Sequence, residues 1–166
     1  MANIRSFREL RVWQLAMQLA MDVFEASKEF PTSERFALVD QVRRSSRSVA
    51  ANIAEAWRKR RYPAAFVAKL NDAEAEAAET QTHLEIAIRC KYLADQVAQK
   101  LDSKYEEVLA MLVVMSARPQ DWVVGTATVR GSASPRPRVS ASPRLRVSQE
   151  RSHDSIARRR PPIGKC

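Results

Sequence analysis

Residues 1–124 contain no glycine, and only Pro31 and Pro63 interrupt the first 118 positions. Without glycine a chain has little access to the left-handed backbone that tight hairpins require. A β fold rich in turns is therefore disfavoured, and so are the glycine-rich loops that cradle phosphates or dinucleotides. Each proline biases the residue before it away from helix, so Pro31 and Pro63 mark corners. Pro119 ends the last helical pattern.

Between these corners the apolar residues recur at helical spacing. A first helix is expected over about residues 7–28, with Leu10, Trp13, Met17, Ala20 and Phe24 as its stripe and Val12, Ala16, Leu19 and Val23 widening it. A second follows Phe30-Pro31-Thr32-Ser33-Glu34, where Thr32 or Ser33 can cap the first turn, and runs to about Arg58. A third covers about Pro63 to Arg89, with Pro63 suited to the first turn and a seam of Phe66, Leu70, Ala73, Ala77, Thr80, Leu84 and Ala87. A fourth spans about 95–117, with Val97, Leu101, Tyr105, Val108, Leu112 and Met115. Four long amphipathic helices with short connections form an all-α, antiparallel up-down four-helix bundle over residues 1–118. About 110 residues can bury a sufficient core without metal or disulfide.

Charge separates the rest of the chain. Residues 1–122 hold 18 Lys and Arg against 17 Asp and Glu, whereas residues 123–166 hold 10 against 2. The net charge of +9 therefore belongs mostly to the tail. Ser132-Ala-Ser-Pro-Arg-Pro-Arg-Val139 is followed by the near-repeat Ser140-Ala-Ser-Pro-Arg-Leu-Arg-Val147. Residues 119–166 thus read as a Ser/Pro/Arg-rich, disordered basic extension, either a polyanion-contacting arm or a solvated tail.

Cys90 and Cys166 form no disulfide or metal pattern, and Cys90 is expected as a small buried hydrophobe. The N-terminus lacks the apolar core of a signal peptide, and no apolar run approaches the ~20 residues of a membrane span. These features fit a cytoplasmic protein without membrane contact.

The second helix carries the functional signal. At 100° per residue, Leu38, Val42, Ser45, Val49 and Ala56 fall on one side. Arg43, Arg47, Arg58 and Arg61 fall opposite, within about 60° of one another. With Arg44, Lys59 and Arg60 they form a basic cluster that can hold nucleic-acid phosphates. The competing readings are ion pairing with Asp72, Glu76 and Glu79 of a neighbouring helix or subunit, or a plain solvated face. Asn52 and Glu55 flank the seam and fit a structural or interface role, since no nucleophile, base or metal set accompanies them. Trp13 and Trp57 read as core or interface aromatics, with base stacking by Trp57 as a second reading. No catalytic residue, metal site or cofactor site is evident, so a binding function is expected rather than an enzyme.

Several pieces in order resemble one bacterial four-helix bundle family. It includes proteins encoded within intervening sequences of large-subunit rRNA genes, and the accessory variability protein of diversity-generating retroelements is a relative. The pieces are Phe7-Arg-Glu-Leu10 with Val12-Trp13 and Ala16; Phe30-Pro31 with Glu34; Gln41-Val42-Arg43-Arg44 with Ser48; Asn52-Ile53-Ala54-Glu55; and Glu79-Thr80-Gln81 with Leu84, Ala87 and Tyr92-Leu93. Ala56 stands where the family usually has glycine, and Ala75-Glu76 replaces a small Gly-Ser pair. The resemblance implies a left-handed bundle, often a pentameric ring, with a non-enzymatic role. In the retroelement relative it implies a basic surface that binds nucleic acid and a reverse transcriptase. The expected partners are thus further copies of the chain, RNA or DNA, and a reverse transcriptase. Truncation after about residue 122 should leave the thermal melt nearly unchanged; a collapse of helicity in circular dichroism would contradict the reading of the tail.

Overall fold

The computed structural model describes residues 4–124. All described residues belong to one compact unit. The tandem repeat and most of the predicted tail lie outside the described residues.

Four helices form an up-down bundle: α1 (Arg11–Ala26), α2 (Leu38–Lys59), α3 (Pro63–Arg89) and α4 (Asp95–Ala117). Each packs on its sequence neighbour, α4 closes back on α1, and the contact between α2 and α3 is the most extensive. This is the arrangement that short connections between antiparallel helices impose.

The seams of α2 and α3 are buried as the spacing predicts, with Val42, Val49, Ala56, Phe66, Leu70, Ala73, Ala77 and Ala87 all fully enclosed. Small residues at Ser45, Ala73 and Ala77 let the two helices approach closely. A polar pair sits inside this contact: the Thr80 hydroxyl donates to Ser45 Oγ at 2.9 Å, and Ser45 can donate onward to the Gln41 carbonyl at 3.1 Å. The Tyr105 hydroxyl, from α4, is buried beside Thr80 without a well-formed hydrogen bond. Burial pushes its ionisation far above the ordinary tyrosine range.

The first helix differs from its expected orientation. The core side is Val12, Ala16, Leu19, Ala20 and Val23, while Met17 is 38% exposed and Trp13 and Phe24 are half-buried. Apolar residues occupy two adjacent stripes of α1, and packing against α2 and α4 uses the one with smaller, branched side chains. Helical structure also breaks at Leu10, leaving a separate 3-10 turn at Phe7–Glu9. In α4, Ala98 takes the core position expected for Val97, which is 43% exposed.

Two local expectations are corrected. Neither Thr32 nor Ser33 caps α2; a 3-10 turn at Thr32–Glu34 intervenes, and Glu34 Oε2 accepts from the Leu38 amide at 3.4 Å. Cys90 is exposed because α3 ends there and the chain turns away, with Ala87 and Leu93 filling the core. That turn is a Schellman closure: the Tyr92 amide donates to the Ala87 carbonyl at 2.9 Å and the Lys91 amide to the Ile88 carbonyl at 2.8 Å. It requires a left-handed residue, and Lys91 supplies it at φ 59°. Glycine adopts this conformation without the Cβ clash. Lys91→Gly should therefore raise unfolding stability by about 0.5–1 kcal/mol in urea titration; a loss of stability would show that the Lys91 side chain is holding the corner.

The boundary expected at residue 118 is corrected: past α4 the chain continues through a 3-10 turn at Pro119–Asp121, and Trp122 packs half-buried against the core. The Val124 amide donates to the Arg60 carbonyl at 3.3 Å, bringing this segment to the α2–α3 corner.

Candidate nucleic-acid interface

The corner between α2 and α3 is built by Tyr62-Pro63. Pro63 occupies the first turn of α3, and Tyr62 before it is extended (φ −125°, ψ 98°). The second helix must therefore end, and it does so at Lys59 with Arg60 as its C-terminal cap. Arg60 folds back over the helix: its guanidinium lies 3.8 Å from the Trp57 ring centroid, and Nη1 donates to the Trp57 carbonyl at 2.7 Å. A cation at a helix C-terminus satisfies terminal carbonyls and opposes the negative end of the dipole.

Burial lowers the Arg60 pKa below the ordinary arginine range, and the charges of Arg58 and Arg61 lower it further. The two neighbours are exposed. Among the described residues, none of these three arginines lies within ion-pair distance of a carboxylate. The corner is thus a point of unrelieved positive charge.

The other basic residues of α2 meet different fates. Arg43 turns toward α1, donating from Nε to Ser27 Oγ at 2.6 Å and lying 4.6 Å above the Phe24 ring. It closes the C-terminus of α1 rather than extending the outward stripe. Arg44 pairs with Glu79 of α3 at 2.7 Å and is also held by Gln41. Lys59 pairs with Glu55 at 2.7 Å. Arg47 is exposed and makes no ion pair among the described residues. It borders a cleft of about 360 Å³ with Met17, Ala20, Met21 and Phe24.

The structural candidates also separate. Glu55 reaches Lys69 of α3 at 3.0 Å, Lys69 reaches Asp72 at 3.0 Å, and Asn52 Oδ1 lies 3.5 Å from the same ammonium. Hydrogen bonds from Lys59 and Lys69 hold the Glu55 carboxyl below its ordinary range, while Asp72 and Glu55 raise Lys69. Asn52, Glu55 and Glu79 therefore tie α2 to α3. Trp13 meets Phe7 edge to face at 5.1 Å. Trp57 is only 6% exposed, with Arg60 over its face, so it cannot stack on a base.

Sequence reasoning passed over two residues. Lys69 is the hub of the α2–α3 ion network, and its position one helical turn before Asp72 gave a partial signal. Tyr62 is 70% exposed beside the arginines. Its signal was the following proline, which removes it from the buried face of either helix. Among the described residues, no three His, Cys, Asp or Glu side chains gather as a metal site, and no helix is long and apolar enough to cross a membrane.

Comparison with known proteins gives the bundle its lineage. A crystal structure of a protein of unknown function from the S23 ribosomal protein family of Bacteroides thetaiotaomicron is 28% identical, with a TM-score of 0.58. The match covers 63% of this chain and 97% of that one. No curated protein matches the chain. Residues 8–114 match the family described as 23S rRNA-intervening sequence protein. With the match extending over most of the chain, from the 3-10 turn before α1 almost to the end of α4, this protein belongs to the 23S rRNA-intervening sequence protein family.

Proposed function

We propose that this protein is a non-enzymatic nucleic-acid-binding bundle that holds the sugar-phosphate backbone of RNA or DNA through the α2–α3 corner. The observation carrying this reading is the grouping of Arg58, Arg60 and Arg61 without a carboxylate partner among the described residues. Polyanion binding relieves like-charge crowding and releases condensed counterions. Arg47, about 16 Å further back along α2 at 1.5 Å per residue, extends the basic surface. The contact is read as directed to the backbone, where half to two-thirds of protein–DNA hydrogen bonds fall. The family is named for a sequence within 23S rRNA, which makes RNA the first polyanion to test. Assembly into a homo-oligomer, a pentamer in the form the resemblance implies, would repeat the corner and raise avidity.

The affinity should fall steeply with salt. Replacing Arg58 and Arg61 together by Gln should reduce the slope of log K against log salt by roughly 1.4–1.8, at 0.7–0.9 per lost phosphate contact. Arg43→Gln should leave the slope unchanged while lowering the melting temperature. Absence of binding to mixed-sequence RNA and DNA at low salt would refute the proposal.

A second reading is a protein-interaction scaffold, for further copies of the chain or for a reverse transcriptase. It is favoured by the cleft beside Arg47, whose rim exposes 38% of Met17 and 50% of Met21. Under this reading Met21→Asp or Arg47→Glu should shift the mass measured by light scattering, with nucleic-acid affinity negligible throughout.

A further inference from the structure

Tyr62 differs from the other aromatic side chains near the corner. It is 70% exposed, whereas Trp57 is buried beneath Arg60. Among the described residues its ring has no aromatic or cation partner. The comparably exposed Phe36 lies at the opposite end of α2 with the Arg35 guanidinium 5.4 Å from its ring centroid. The backbone under Tyr62 is fixed on both sides: its amide donates to the Lys59 carbonyl at 2.9 Å, and its carbonyl accepts from the Phe66 amide at 2.9 Å. Pro63 stiffens the following bond. A bare aromatic side chain is thus carried on a fixed backbone between Arg61 and α3, one turn past Arg58.

We infer that Tyr62 is a stacking platform for an unpaired base, and that the corner therefore takes single-stranded nucleic acid in preference to duplex. This rests on the backbone-binding reading above and adds the substrate class. In a duplex the base faces are covered by their stacked neighbours, so an exposed ring gains nothing from them. In a single strand a base can leave the stack and lie on the ring while the adjacent phosphates meet Arg58 and Arg61. A tyrosine side chain has only two χ angles to fix, so ordering it on binding costs little conformational entropy.

The test compares three labelled probes of equal length at fixed salt: a mixed-sequence single strand, a strand of abasic sites and a duplex. The full chain should bind the base-bearing strand at least roughly 5-fold more tightly than the abasic strand, as stacking on one aromatic ring supplies. Tyr62→Ala should abolish that difference, and Tyr62→Phe or Tyr62→Trp should keep it. The salt slope, duplex affinity and light-scattering mass should not change with any of the three. Equal weakening of base-bearing and abasic strands by Tyr62→Ala would overturn the inference while leaving the backbone-binding reading standing. So would a change in oligomeric mass, which would make Tyr62 an interface residue. If no probe binds the unmodified chain at low salt, both readings fall.

Discussion

The close contact of α2 on α3 decides the rest of the molecule. Small and branched residues on both seams bring the two backbones together, and Ser45 and Thr80 share a hydrogen bond within the contact. A buried hydroxyl pair of this kind favours one alignment, because a shift of one residue would break the interhelical bond and leave each hydroxyl only the carbonyl of its own helix. Once α2 is fixed in rotation, each of its basic residues has a determined neighbourhood. Arg44 is placed against Glu79, Arg43 over Phe24, and Arg58 into solvent. The charge pattern of the surface is thus a consequence of the packing of the core.

The residues that carry the family resemblance prove to be contacts within the chain. Phe7 meets Trp13, Phe30 lies 6.0 Å from Tyr92, and the Tyr92 hydroxyl reaches Glu34 at 3.3 Å. Arg44 meets Glu79, and Asn52 and Glu55 converge on Lys69. These pairs join segments distant in sequence and fix the corners and register of the bundle. Their order along the chain therefore records how the protein folds. The uncompensated arginines at the α2–α3 corner lie outside those motif pieces, so family membership and the proposed ligand surface draw on different residues.

The seams of α2 and α3 were legible because each has a single apolar stripe at helical spacing. α1 was not, because its large residues Trp13, Met17 and Phe24 form one stripe and Val12, Ala16, Leu19 and Val23 another. Spacing alone does not say which stripe a neighbouring helix will cover. The same ambiguity exchanged Val97 for Ala98, whereas Cys90 was misplaced because the end of α3 falls just before it. Within the candidate site, the sequence showed that the basic residues were clustered, but not which would find a partner across an interhelical gap. Arg43 was the least legible: its acceptors, Ser27 and the Phe24 carbonyl, are neutral groups in another helix and leave no charge pattern to read. Tyr62 was overlooked because an aromatic residue beside a proline reads as corner chemistry, and its exposure depends on the path of both helices.

The central claim is that packing leaves Arg58 and Arg61 available to a polyanion while it occupies Arg43, Arg44 and Arg60 internally. Titration of the arginine Nε–Hε resonances by NMR with a short single-stranded RNA tests this residue by residue. The account requires the signals of Arg58 and Arg61 to move together, with those of Arg43 and Arg44 stationary. Movement of Arg43 and Arg44 with the corner silent would contradict it.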